Sequence, residues 1–91
     1  MILTIPLDPY PNQTVSVVIG GVRWTIQLLT RLGRLYATVG NDTDGVIVRN
    51  RVCLDRIFIT LNLVFIDRDG NQDPEYAELG SRYLLVWTDE A

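Results

Sequence analysis

The densest group of side chains that could perform chemistry lies between residues 67 and 78. Its oxygen-bearing members follow the ligand spacing 1, 3, 5, 7 and 12 of an EF-hand loop, which binds Ca²⁺. These residues are Asp67, Asp69, Asn71, Asp73 and Glu78. Position 6 of such a loop needs a glycine for its sharp turn, but here it is Gln72, and Pro74 also falls inside the window. We therefore favour a turn leading into a short capped helix, and keep the five residues as candidate metal ligands.

The sequence lacks the residues that most catalytic centres use. It contains no His, no Lys and a single Cys, Cys53. Catalytic triads with His, His-ligated zinc, Schiff-base chemistry and the Walker A phosphate loop are thereby excluded. Cys53 has apolar neighbours and is predicted to be a small buried hydrophobic residue. Asp42 and Asp44 are interpreted as turn formers. We expect no catalytic residue, no cofactor and no enzymatic activity.

The charge composition favours a protein partner. The net charge of -3 argues against a specific nucleic-acid site, which needs a basic face. No apolar run approaches the roughly 20 residues that a membrane-spanning helix requires, so no membrane is predicted. All eight basic residues are arginines, and arginine is enriched in protein interfaces. Arg49, Arg51 and Arg56 form a cluster and are candidate partner contacts.

The hydrophobic pattern has the period of strands. Apolar residues alternate with polar ones over 14–19 and 22–30, and Gly20 and Gly21 between them predict a two-residue hairpin turn. Further strands are predicted at 34–39, 46–52 and 83–88. The apolar segment 57–66 is interrupted by Thr60 and Asn62 and is predicted to be a strand with a loop at one end. In the segment 46–52, Val46, Val48 and Asn50 are expected to share one face. Turn clusters every 8–12 residues or so indicate an all-β sandwich or barrel of six to seven short antiparallel strands.

One short helical turn is predicted near 73–79. Asp73 is its expected N-cap, Pro74 its first residue and Gly80 the residue beyond its end. An isolated helix of this length is marginal, so Tyr76 and Leu79 are expected to hold it against the body. The residues assigned to maintaining the fold are Gly20, Gly21, Pro74, Tyr76, Leu79, Gly80 and Tyr83.

The first thirteen residues form an extended, proline-rich segment within a single domain that spans residues 1–91. Three prolines prevent regular ladder hydrogen bonds. The segment is either an edge strand or a stiff arm that lies along a neighbouring subunit. Its candidate partner contacts are Pro6, Asp8, Pro9, Tyr10, Asn12 and Gln13.

Two stretches carry a resemblance to a known family. They are IPLDPYPNQTVSVVIGGVRWTIQL near the start and DPEYAELGSRYLLVW near the end. With the turn-rich middle between them, they resemble the phage baseplate plug family, small virion proteins of contractile-tailed phages. The resemblance is most specific at the two ends, and the segment 51–56 departs from the family pattern.

The resemblance implies a structural protein of the tail baseplate hub that closes the distal end of the tail tube. Its implied partners are hub, tail tube, spike or tape-measure proteins. Its implied location is the virion, after synthesis in the bacterial host cytoplasm, in agreement with the lack of a recognisable secretory signal. Arg82 matches the second motif, and it is expected to pair with Asp73, with Glu78 or with another chain. The alternative hypothesis is a small β-domain that binds a divalent ion or small ligand through residues 67–78.

Overall fold

The computed structural model describes residues 2–89. Seven β-strands and one 3-10 turn make up this part of the chain. The strands are β1 (Ile2–Ile5), β2 (Gln13–Ile19), β3 (Val22–Arg31), β4 (Arg34–Asn41), β5 (Gly45–Val52), β6 (Leu63–Asp67) and β7 (Tyr83–Thr88), and the 3-10 turn is Tyr76–Glu78. The strands form two antiparallel sheets, which confirms the all-β prediction. Among the described residues, no helix has the length and apolar character needed to cross a membrane.

The larger sheet has the strand order β2-β3-β4-β5. Its first hairpin closes at the pair Ile19 and Val22, and both glycines between them have positive φ angles, as a two-residue turn requires. Along β3, Ile26 and Leu28 are fully buried whereas Gln27 between them is exposed. The alternation read from the sequence therefore identifies the inner face of this sheet correctly.

The smaller sheet has the order β1-β7-β6, so the first and last strands of the described chain are neighbours. Tyr83, Leu85 and Trp87 of β7 are buried, and the residues between them are only half-buried. The strand has the predicted bounds 83–88, and its buried face carries both of its aromatic residues. The inner faces of both sheets contribute to one hydrophobic cluster, which makes the architecture a sandwich. Its fully buried members include Ile26, Leu28, Leu35, Val39, Ile59, Leu63, Phe65 and Leu85.

The segment 57–66 is a strand with a loop at one end, as predicted, and the loop is at the N-terminal end because β6 begins only at Leu63. The hydroxyl of Thr60 accepts hydrogen bonds from the N–H groups of Asn62 and Leu63, both at 3.2 Å. This side chain closes a turn, so the chain reverses and Phe58 bridges antiparallel to Val64. Thr60, one of the two residues that interrupt the apolar run, thus supplies the local turn signal.

The predicted alternation along 46–52 is wrong, because β5 is bulged. Gly40 is opposite Val46, but Val39 is opposite Val48, so one extra residue of β5 lies between the two pairs. Val46 and Val48 therefore point to opposite faces. A second irregularity follows at Asn50, which has φ of 48° and donates its N–H to the Thr38 hydroxyl at 3.0 Å.

The helix predicted near 73–79 is reduced to the single 3-10 turn Tyr76–Glu78. It starts after Glu75, which has no side-chain capping bond, so the predicted Asp73 cap is wrong. The Asp73 carboxylate instead accepts the N–H of Asp55 at 2.9 Å. Leu79 is buried as expected, whereas Tyr76 is 40% exposed and does not anchor the turn in the core.

Gly80 lies where two distant segments meet. Its φ is +85°, and a Cβ atom at this position would collide with the backbone carbonyl of Leu7. Leu7 itself is buried in the core. The absence of a side chain at Gly80 thus allows the segment after the 3-10 turn to pack against the N-terminal segment.

We predict that Gly80→Ala lowers the free energy of unfolding by about 2 kcal/mol or more, from the left-handed backbone and the collision together. Gly21→Ala is the matched control, because Gly21 has a similar φ of +81° with open space around it. It should lose only about 1 kcal/mol. Urea titration of both variants measures the difference. Equal losses would show that the contact with Leu7 is not restrictive.

Candidate assembly surface

Asp67, at the end of β6, is the most buried charged residue of the described chain, with 1% of its surface exposed. One carboxylate oxygen, Oδ1, accepts Arg82 Nε at 2.8 Å and the Asp69 N–H at 2.9 Å. The other, Oδ2, accepts Arg82 Nη2 and the Gln72 N–H, both at 2.9 Å. Four donors therefore compensate for the loss of water around this charge.

Arg82 forms a bidentate ion pair with Asp67. This partner was not predicted from the sequence. Of the two expected partners within the chain, Glu78 lies 3.6 Å from Arg82 Nη1 as a secondary contact. The guanidinium also lies 5.2 Å from the centre of the Tyr83 ring. The hydrogen bonds from Arg82 hold the pKa of Asp67 well below its usual range, despite burial, which acts in the opposite direction. Arg82 thus has a defined role inside the chain.

The candidate metal ligands between residues 67 and 78 do not form a metal site in the structure. Both oxygens of Asp67 are occupied by protein donors, and Asp73 accepts a backbone N–H. Asp73 also lies 3.7 Å from Arg34. Within residues 2–89, no group of three or more acidic or Cys side chains is positioned to hold a metal ion. The structure thus gives the ion-binding hypothesis no support.

The hydrogen-bond network extends from Asp67 to the predicted arginine cluster. The N–H of Asp67 donates to Asp55 at 2.9 Å, and Arg56 donates to the Asp67 carbonyl at 3.3 Å. Arg51 donates to the carbonyl of Ile59 at 3.2 Å. Arg49 is exposed, and the structure gives its side chain no hydrogen bond or ion pair within the described residues. Of the three clustered arginines, Arg49 is the freest to contact another protein.

The N-terminal segment is held by two of its own motif residues. Gln13 donates to the Asp8 carbonyl at 2.6 Å and accepts the Asp8 N–H at 3.2 Å. The Asn12 side chain accepts the Thr30 N–H at 3.2 Å, while the Thr30 hydroxyl donates to the Pro11 carbonyl at 2.6 Å. Asn12 and Gln13, both candidate partner contacts, therefore set the shape of this segment.

The remaining candidate contacts of the segment face solvent. Pro6, Asp8, Pro9 and Tyr10 are all exposed, and Tyr10 is 59% exposed. We call residues 8–10 the arm loop. It is a short loop bent by the hydrogen bond from the Tyr10 N–H to the Asp8 carbonyl at 2.8 Å. An aromatic side chain presented on a fixed loop is well suited to anchor a protein contact.

Several exposed apolar residues were not predicted from the sequence as candidate partner contacts. Leu32 is fully exposed at the tip of the β3–β4 hairpin, and Leu61 is 84% exposed in the turn closed by Thr60. Phe58 borders a shallow groove of about 410 Å³ on the outer face of the smaller sheet. The position of Leu32 before Gly33, between Arg31 and Arg34, was an available sign of a hairpin tip. Leu61 and Phe58 lie in the segment 57–66, for which the sequence did not indicate which end forms the loop.

Cys53 is buried, as predicted, and burial raises the pKa of its thiol to about 12. Since the thiolate is the reactive form, we predict that a disulfide reagent at pH 8 modifies the folded protein at least about a hundredfold more slowly than the chain in denaturant. Stopped-flow absorbance measures both rates. Similar rates would show that the thiol is accessible in the native state.

The ion pair of Asp67 predicts a defined response to acid. Because the folded-state pKa lies below the unfolded value of about 3.9, its stabilising effect is complete above about pH 5 and declines as the pH falls. We expect Asp67→Asn to lower the Tm at pH 7 by about 10 °C, since it removes the buried carboxylate charge that Arg82 pairs with. The deficit relative to the unmodified protein should shrink toward pH 2.

Asp69→Asn is the control for this experiment, because it makes the same change on an exposed side chain in the same turn. It should shift the Tm at pH 7 by no more than about 2 °C. Thermal melts followed by circular dichroism across the pH range test both variants. A deficit for Asp67→Asn that is the same at pH 2 and pH 7 would contradict the assignment.

Comparison with known proteins identifies the family. The chain matches the family model described as Cyanophage baseplate Pam3 plug gp18 over residues 2–90. A comparison with curated protein sequences gives no match. The matched range includes both terminal motifs, the arm loop and the ion pair of Asp67 with Arg82. The resemblance seen in the sequence is thereby confirmed: the chain belongs to the cyanophage baseplate Pam3 plug family.

Proposed function

We propose that this protein closes the distal end of the phage tail tube in the baseplate hub, by protein–protein contacts and without catalysis. The observation that carries the proposal is the family match over residues 2–90. Partners from the tail hub, tail tube, spike or tape-measure proteins would hold it in the virion, after its synthesis in the host cytoplasm.

The use of the polar groups supports a structural role. The Asp67 carboxylate accepts four hydrogen bonds, all from donors of its own chain, and two of them come from Arg82. Cys53 is buried, and its raised pKa disfavours the reactive thiolate. The groups with the strongest potential for chemistry therefore stabilise the fold.

The exposed side chains support assembly through separate small contacts. Tyr10 is carried by the arm loop, whereas Leu32 and Leu61 occupy turn tips. Large apolar residues at such positions gain free energy when a partner removes them from water. Arg49 adds an exposed cation without a side-chain bond among the described residues. A plug seated among several neighbours would use anchors distributed in this way.

We predict that Tyr10→Ala weakens incorporation into virions while leaving the fold intact. The side chain is exposed, so the Tm should change by no more than about 2 °C, whereas loss of an aromatic anchor costs about 2 kcal/mol of binding. The experiment complements a phage that lacks the gene with each variant. Quantitative mass spectrometry of purified virions then gives the amount incorporated relative to a tail tube protein.

Tyr76→Ala is the matched control, since Tyr76 is also an exposed tyrosine but lies in the 3-10 turn. It should be incorporated at the normal level. Cryo-electron microscopy of the complemented virions locates the protein. Its absence from the baseplate, or its presence on the outer wall with an open tube, would refute the proposed function.

A further inference from the structure

The edge strand β2 is a long, uncharged edge without cover. Because hydrogen-bonded and non-hydrogen-bonded pairs alternate in an antiparallel sheet, every second residue of β2 directs its N–H and C=O away from β3. The structure pairs residues 14–19 with β3 alone, and gives their outward groups no other partner among the described residues. Apart from water, the partner that matches such alternating donors and acceptors along one line is another extended backbone.

The other three edges are protected. Strand β1 has four residues and ends before Pro6, and β5 is bulged and carries Arg49 and Arg51. The outer edge of β6 is covered by residues 55–59, through the Arg56 N–H to the Phe65 carbonyl at 2.9 Å and a bridge at Phe58. Strand β2 has seven residues with no charge, no proline and no bulge. It lacks every device by which natural proteins block edge pairing.

The side chains of β2 are complementary to a second copy of themselves. When two copies are antiparallel with Ser16 opposite Ser16, Thr14 lies opposite Val18 and Val15 lies opposite Val17. These are the β-branched cross-strand pairs that stabilise sheets, and no like charges meet. On the inner face Val15 and Val17 are only half-buried, and on the outer face Val18 is 60% exposed. The pairing would cover all three valines.

We propose that two copies of this protein associate through β2, in antiparallel register centred on Ser16, to form one continuous eight-stranded sheet. The contact is two-fold symmetric, so each side presents the same surface. It is also narrow compared with the roughly 800 Å² per partner of a standard interface. The free protein is therefore expected to be monomeric when dilute and to dimerise as its concentration rises.

The test uses complementary charges at Ser16, which is exposed. In Ser16→Lys two lysines meet at the symmetry axis, and in Ser16→Asp two carboxylates meet there. Each variant alone should remain monomeric over about 10 µM to 1 mM, whereas the unmodified protein dimerises. An equimolar mixture of the two variants should recover the dimer, because Lys then faces Asp. Analytical ultracentrifugation measures all four samples.

Thr25→Lys is the matched control, because Thr25 lies beside Ser16 on the next strand and is exposed, but is not on the edge. It should dimerise like the unmodified protein, and circular dichroism should show that all variants are folded. An unmodified protein that stays monomeric to about 1 mM would overturn the proposal, as would a mixture that stays monomeric. Protection of the β2 amides by another baseplate protein under those monomeric conditions would assign the edge to that partner.

Discussion

The buried carboxylate of Asp67 is the interaction on which the smaller sheet depends. A charge taken out of water at the end of a strand must be surrounded by donors, and here the donors come from two backbone N–H groups and one guanidinium. Asp67 and Arg82 are 15 positions apart, so the pair closes a long irregular connection between β6 and β7. The pair and the conformation of that connection are therefore formed or lost together.

That connection in turn determines where the N-terminal segment lies. Gly80 precedes β7 within the same loop, and its lack of a side chain admits the backbone of Leu7. Leu7 is anchored in the core, while Gln13 closes the segment from the other end through Asp8. A continuous series of contacts thus runs from the ion pair to the arm loop. An assembly contact made by Tyr10 would therefore depend indirectly on the Asp67 carboxylate.

The sequence predicts the parts of this fold that are determined by neighbours along the chain. The first hairpin follows from alternation and from two glycines, and β7 has the bounds that were predicted for the last strand. The wrong predictions concern residues whose hydrogen bonds are made to groups far away in the sequence. Asp73 has the sequence of a helix cap, but its carboxylate is taken by the Asp55 N–H, 18 positions away. The bulges of β5 likewise depend on its pairing with β4.

The candidate site was only partly predictable for the same reason. The motif residues of the N-terminal segment were recognisable, but nothing local separates Gln13, which holds the loop, from Tyr10, which the loop presents. Asp67 was singled out for its spacing to other acids, whereas its role comes from Arg82, which directly precedes the adjacent strand β7. Such pairings are decided by sheet register, which a single sequence does not specify for strands connected by a long loop.

The four sheet edges of the described chain differ in how far each one permits a further strand to pair. Shortening, bulging, charge and covering each protect an edge of this protein, and each reduces the hydrogen bonding that the edge offers. An arginine at an outer position of β2 would cost little folding free energy, since these positions face solvent, yet none of the eight arginines lies there. Their occupation by Thr, Ser and Val preserves a flat edge with β-branched side chains. In a protein whose family acts within a baseplate, an edge left in this state is better explained by a strand that pairs with it than by tolerance of an aggregation risk.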